Sequence, residues 1–186
     1  MGDGAENCAS GGWHLGQMRY VTIKESFMQS DHFDLNRCIG ALSTRFSSSL
    51  GAGASQEYHQ RFQIGIVEWR ILCHLSVEPS SNVIAMANSI GIDKSSVSRA
   101  LASMEKRKLV EMRSGARRTR EANLTDRGLQ LHRDVLPVAR AREAALLAGF
   151  DAAETEQLLT FFHRLIDNLP VVENDAAKRA DQDQTT

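Results

Sequence analysis

Apolar positions recur with a helical rhythm along most of this chain, and two short strand-like runs interrupt them near its middle. Leu35, Ile39, Leu42 and Phe46 fall at spacings of four, three and four, a stripe along a helix expected to open near Ser30 with Ser30 or Asp31 as its cap. The stretch Ser47-Ser-Ser-Leu-Gly-Ala-Gly-Ala-Ser55 predicts a break, because Ser and Gly favour loops. A second helix is expected from about Ile66 to Leu75, stopping before Pro79. A third covers roughly Val83 to Ile90 and ends at Gly91, a residue suited to the left-handed position after a helix. A fourth opens at Asp93, a good N-cap, and continues to about Lys108, with Val97, Leu101 and Met104 facing inward. Leu109 to Arg113 and Thr119 to Leu124 read as strands around a turn at Ser114-Gly115-Ala116. A long helix follows from about Thr125 to Gly149, with Pro137 expected to kink it. The last opens at Asp151-Ala-Ala-Glu154, an acidic relative of the capping box. Its apolar face is Leu158, Phe162, Leu165 and Leu169, widened by Leu159, Phe161 and Ile166, which is broader than a small monomer needs.

The pattern is mainly α with a small β-hairpin wing: a winged helix-turn-helix domain beside a helical dimerisation region. The expected division is an N-terminal arm over residues 1–29, partly disordered, helical dimerisation segments over 30–60 and 126–170, a winged helix-turn-helix over 61–125, and a disordered tail over 171–186. Five glycines in about the first 20 residues favour a mobile start, although Trp13, Tyr20 and Phe27 suit an arm folded over the domain or a partner subunit. No repeat of fixed period is present.

Composition adds exclusions. At 186 residues, 42% hydrophobic and 24% charged, the chain suits one well-buried soluble domain. Its longest apolar run, Ala144 to Phe150, is far below the roughly 18 residues of a membrane span. The first residues lack the basic flank and apolar core of a secretory leader. Three widely spaced cysteines, Cys8, Cys38 and Cys73, argue against a disulfide framework and for a reducing, cytoplasmic setting.

The net charge of −1 conceals an uneven distribution. Lys94 to Arg133 holds 11 Lys and Arg against 4 Asp and Glu, a local +7, and the remainder carries −8. A basic centre between acidic flanks points to a segment that meets a polyanion. Burying Val97 and Leu101 turns Lys94, Ser95, Ser98 and Arg99 outward at the end of the second helix of a helix-turn-helix, the end that enters a major groove. Serine hydroxyls suit phosphates or base edges, an arginine can pair bidentately with guanine, and Ser96 can offer its hydroxyl to a phosphate beside the helix N-terminal amides. A polar first turn that merely caps the helix is the competing reading for the serines. Arg113, Arg117, Arg118 and Arg120 surround the hairpin turn, where they serve no core and fit a narrow minor groove. The DNA-contact set is therefore Lys94, Ser95, Ser96, Ser98, Arg99, Arg117, Arg118 and Arg120.

The order of these elements and four local strings resemble the MarR family of winged helix-turn-helix regulators. The strings are Glu68-Trp-Arg-Ile-Leu72, Ile90-Gly-Ile-Asp-Lys-Ser-Ser-Val-Ser-Arg99, Met104-Glu-Lys-Arg-Lys-Leu-Val110 and Leu124-Thr-Asp-Arg-Gly128, and the resemblance spans about residues 33 to 169. It implies a homodimer with interlocked first and last helices, two winged domains on double-stranded DNA at a near-palindromic operator, and repression relieved by a small effector. Two positions depart from the family pattern. Ala116 stands where a carboxylate usually orients the wing arginine, here Arg118, and Lys108 stands where Gly usually precedes Leu-Val.

The resemblance further implies an aromatic-acid or phenolic effector in a cleft lined by Arg37, Arg61, Phe62, Trp69 and His74, where arginines would pair with a carboxylate and rings would sandwich the ligand. Core or solvent roles for the same residues compete with that assignment. Redox control through Cys38 or Cys73 and a dimeric adaptor without DNA binding are the alternatives. No two of the six His stand at i, i+4, so no metal site is expected. With no phosphate loop, Gly-x-Ser-x-Gly elbow or Cys-x-x-Cys pair, neither catalysis nor a cofactor is expected.

Overall fold

A computed structural model describes residues 33–114 and 120–183. The expected N-terminal arm and the wing tip with Arg117 and Arg118 lie outside them. The chain divides into two compact units, one ending at Ile66 and the other beginning at Val67.

In the first unit, the Asp34 carboxylate accepts from the Asn36 amide at 2.9 Å and so holds a turn where the pattern predicts helix. Helix α1 therefore starts only at Ile39 and runs to Phe62. It passes unbroken through Ser47 to Ser55, correcting the predicted interruption. Each Ser or Gly costs helix at most about 1 kcal/mol, and burial of Ala54 and Tyr58 outweighs that local preference. Ile39 and Phe46 of the predicted stripe, with Leu35 just ahead of the helix, are exposed. The helix ends at Gln63, left-handed at φ 59°, whose side-chain amide donates to the His59 carbonyl at 2.9 Å.

The second unit carries the chemistry. Helix α2 (Ile66–Val77), strand β1 (Ser81–Asn82), helix α3 (Val83–Ile90) and helix α4 (Lys94–Lys106) precede strands β2 (Val110–Ser114) and β3 (Arg120–Leu124). Helices α5 (Asp126–Leu146) and α6 (Ala152–Asp183) complete it. The core is Ile71, Leu72, Leu75, Met86, Val97, Leu101, Met104, Leu109, Val110, Ala122 and Val135. The predicted inward triad Val97, Leu101 and Met104 is buried as its spacing requires. The sheet is antiparallel in the order β1-β3-β2, with Ala122 between Ser81 and Met112. Strand β1 carries no apolar alternation, and the pattern does not reveal it.

Caps set the boundaries. The Asn82 side-chain oxygen Oδ1 accepts from the amides of Ile84 and Ala85 at the start of α3. Gly91 ends that helix at φ 65°. Lys108 adopts φ 57°, the left-handed conformation that the family pattern assigns to glycine. Thr125 caps α5 by accepting from the Gly128 amide at 3.1 Å, while its hydroxyl donates to the Lys108 carbonyl at 2.7 Å. The predicted acidic box is complete: Asp151 accepts from the Glu154 amide at 2.8 Å, and Glu154 accepts from the Asp151 amide at 2.9 Å.

Helix α6 corrects the expected disordered tail, continuing past Pro170 to Asp183. Pro170 forfeits one backbone hydrogen bond, but Glu173, Ala176, Ala177 and Ala180 beyond it are good helix formers. Its predicted face is open: Leu159, Phe161, Phe162, Leu165, Ile166 and Leu169 are exposed, and Val171 and Val172 extend it. Among the described residues, no helix is long and apolar enough to cross a membrane.

Candidate nucleic-acid interface

The exposed start of α4 is built around Asp93. Its carboxylate oxygen accepts from the Ser96 amide at 2.9 Å and from the Ser95 hydroxyl at 2.5 Å. These bonds, led by the Ser95 hydroxyl and aided by the nearby Arg99 charge, hold the carboxyl well below the usual carboxylate range. Arg99 completes the cluster: Nη1 donates to the Ser95 hydroxyl at 3.2 Å and Nη2 to that of Ser96 at 2.9 Å. Lys94, Ser95, Ser98 and Arg99 are exposed and Ser96 is half-buried, so all five share the solvent side of the helix that buries Val97.

Two ion pairs position this helix. Glu68 on α2, with only 12% of its side chain exposed, accepts from Arg107 at 3.2 Å and from the Ser103 hydroxyl at 3.0 Å. The C-terminal end of α4 is thereby fastened to α2, leaving the N-terminal end forward. Arg120 on β3 pairs with Glu105 of α4 at 3.5 Å and so links the wing to the same helix. Arg113 pairs with Glu111 along β2. The sequence pattern announces neither the Glu68 clamp nor the Glu105 pair. Partners 39 and 15 residues apart leave no local spacing signal. The i, i+4 and i, i+3 relation of Ser95 and Ser96 to Arg99 is visible in the sequence, and it is the signal from which this cluster could be found.

The five residues assigned to an effector cleft fall in different surroundings. Arg37 is exposed in the turn before α1. Arg61 pairs with Glu57 at 3.2 Å, and its guanidinium lies 5.4 Å from the centre of the Phe62 ring. Those three belong to the first unit, whereas Trp69 and His74 belong to the second. Trp69 is buried and stacks on His132 of α5, with ring centres 5.4 Å apart and planes 16° from parallel. His74 has a side chain only 3% exposed. Its Nε2 lies 2.8 Å from the Ser81 hydroxyl and its Nδ1 3.1 Å from that of Ser89, joining α2, β1 and α3. It stands at the edge of an open groove of about 470 Å³ also lined by Arg70, Cys73, Val77, Glu78, Ser89 and Ile90. Burial pushes the Cys73 thiol there up to about 11, which lowers the thiolate fraction on which thiol reactivity depends.

Comparison with known proteins agrees with this geometry. Residues 64–115 match the model of the MarR family. The chain is similar to a MarR/EmrR family transcriptional regulator from Acinetobacter sp. ADP1, at 31% identity and a TM-score of 0.70, over 74% of this chain and 98% of that one. It shares its fold with MepR of S. aureus, solved in complex with DNA, at 20% identity and a TM-score of 0.63 over 71% and 96% of the two chains. BpsR of Bordetella bronchiseptica, whose DNA binding is regulated by 6-hydroxynicotinic acid, matches at 20% identity and a TM-score of 0.62, over 74% of this chain and 98% of that one.

Proposed function

The chain belongs to the MarR family of DNA-binding transcriptional regulators, and from that premise we propose that it is a cytoplasmic, homodimeric repressor released from a near-palindromic operator by a small aromatic acid or phenol. The observation that carries the DNA half is the exposed first turn of α4, which presents Lys94, Ser95, Ser96, Ser98 and Arg99 together while Glu68 fastens the other end of the helix. Arg99 is assigned to a guanine, Lys94 and the serines to phosphates, and Arg117, Arg118 and Arg120 to the minor groove beside it. The open faces of α1 and α6 supply the dimer, which would place two such helices about one helical turn apart on the duplex. The effector is assigned to Arg37, Arg61, Phe62, Trp69 and His74, on the resemblance and on the residue types.

Gel-shift titration on the region upstream of the protein's own gene, across salt concentrations, tests the DNA half. Each neutralised phosphate contributes about 0.9 to the log–log salt slope, so a slope steeper than about −3 is expected. Equal affinity for a scrambled duplex would refute the assignment. A thermal-shift screen of aromatic acids tests the effector half, since a ligand of the folded state raises the melting temperature with its concentration.

A further inference from the structure

The polar cluster at the start of α4 is more ordered than phosphate contact alone requires. Asp93 anchors Ser95 through its hydroxyl and Ser96 through its amide. A hydroxyl that donates to a carboxylate becomes a better acceptor, and both serines accept from the same guanidinium. Helical side chains lean toward the N-terminus, so these bonds hold Arg99 over the end of the helix that meets a groove. Of the five N–H donors of an arginine, two are engaged by the serines and three stay available for a partner ahead of the helix. A free arginine loses considerable rotamer freedom when it pairs, and one already held loses less.

We propose that Ser95 and Ser96, anchored by Asp93, are positioning residues that preset Arg99 to read a guanine, and that they act on sequence choice through Arg99 instead of through contacts of their own. This inference rests on the assignment of α4 to the major groove. The same serine bonds hold the Asp93 carboxyl well below the usual carboxylate range, so the anchor stays charged around neutral pH. The cluster is therefore a fixed fitting of the reading head, and sequence preference should not vary with its protonation.

The test is a double-mutant cycle on the full chain, with duplexes the wild-type protein selects from a random pool and a scrambled duplex of equal composition. Ser95→Ala with Ser96→Ala is expected to lower the selected-to-scrambled affinity ratio about tenfold, close to the loss from Arg99→Ala. Added to Arg99→Ala, the two serine changes should then cost nothing further. Ser95→Thr with Ser96→Thr keeps both hydroxyls and should restore the ratio, with thermal unfolding confirming that each variant is folded. Equal serine losses with and without Arg99 would overturn the inference while leaving the DNA-binding assignment standing. Failure of the threonine pair to restore the ratio in a folded protein would overturn it as well. A wild-type protein that does not discriminate between the two duplexes would overturn the assignment itself, and the inference with it.

Discussion

Replacing Gly128 by alanine should unseat the helix that follows the wing. A Cβ at this position would stand 2.0 Å from the carbonyl oxygen of Leu109, 3.1 Å from its carbon and 3.3 Å from a methyl of Leu124. The first obstacle is backbone, so no side chain can swing aside. The start of α5 would have to retreat by about 1 Å to reach even the tightest tolerated contact. That retreat pulls on the Thr125 amide, which donates to the same Leu109 oxygen at 3.1 Å, and on the Thr125 hydroxyl, 2.7 Å from the Lys108 oxygen. Overpacking costs about 1–3 kcal/mol, and weakening the cap and its neighbouring bonds adds about 1–2 kcal/mol. Alanine returns about 1 kcal/mol as the better helix former. The net expectation is a loss of about 1–4 kcal/mol, read as a lowered urea midpoint by circular dichroism at one fixed protein concentration. Gly51, inside α1, has nothing within 4 Å of the place a Cβ would take, so Gly51→Ala should raise stability by about 0.5–1 kcal/mol. A Gly128→Ala midpoint equal to or above wild type would refute the steric reasoning.

Three further outcomes follow from local geometry. Lys108→Gly relieves a left-handed lysine at φ 57° and should stabilise by about 1 kcal/mol in the same titration; a loss would show that the lysine side chain contributes more than its backbone costs. Cys73, with its thiol pushed up to about 11 from 9.0, should alkylate with iodoacetamide about 100-fold more slowly in the folded protein than in urea at pH 8, and equally rapid labelling of the folded form would contradict that upward shift. His132 is held below its usual range by desolvation and then by the Arg133 charge. The unfolded chain therefore takes up this proton first as pH falls, and stability declines from about pH 6.5 down through the lower folded value. His132→Gln should flatten that part of a stability–pH profile, and an unchanged slope would remove His132 as its source.

The helix-turn-helix is legible in the residues because its determinants are local. Asp93 and Gly91 mark boundaries within a few residues of their effect, and the spacing of Val97, Leu101 and Met104 draws the buried face directly. The acidic box at Asp151 and Glu154 belongs to the same class. Over Ser47 to Ser55 the composition of α1 misleads, because tertiary burial of Ala54 and Tyr58 overrides its loop-like character. Strand β1 is invisible in the pattern because two residues have no period, and its existence depends on pairing with β3 some 40 residues later. The Glu68 clamp on Arg107 is hidden for the same reason, as only the folded chain brings the two together. The resemblance points His74 to a ligand cleft, and no local spacing announces that its ring nitrogens also face Ser81 and Ser89, seven and 15 residues further along the chain.

That imidazole carries a consequence of its own. Each serine hydroxyl can donate or accept, and a ring nitrogen donates where it carries the hydrogen and accepts where it does not. With Ser81 on one side and Ser89 on the other, the hydrogen bonds joining β1 to α3 have a direction, set by whichever nitrogen carries the hydrogen. Reversing that direction means moving a proton across the ring and turning both hydroxyls together. Both arrangements fit the same two heavy-atom contacts, and the nitrogen-15 shifts of a single side chain tell them apart.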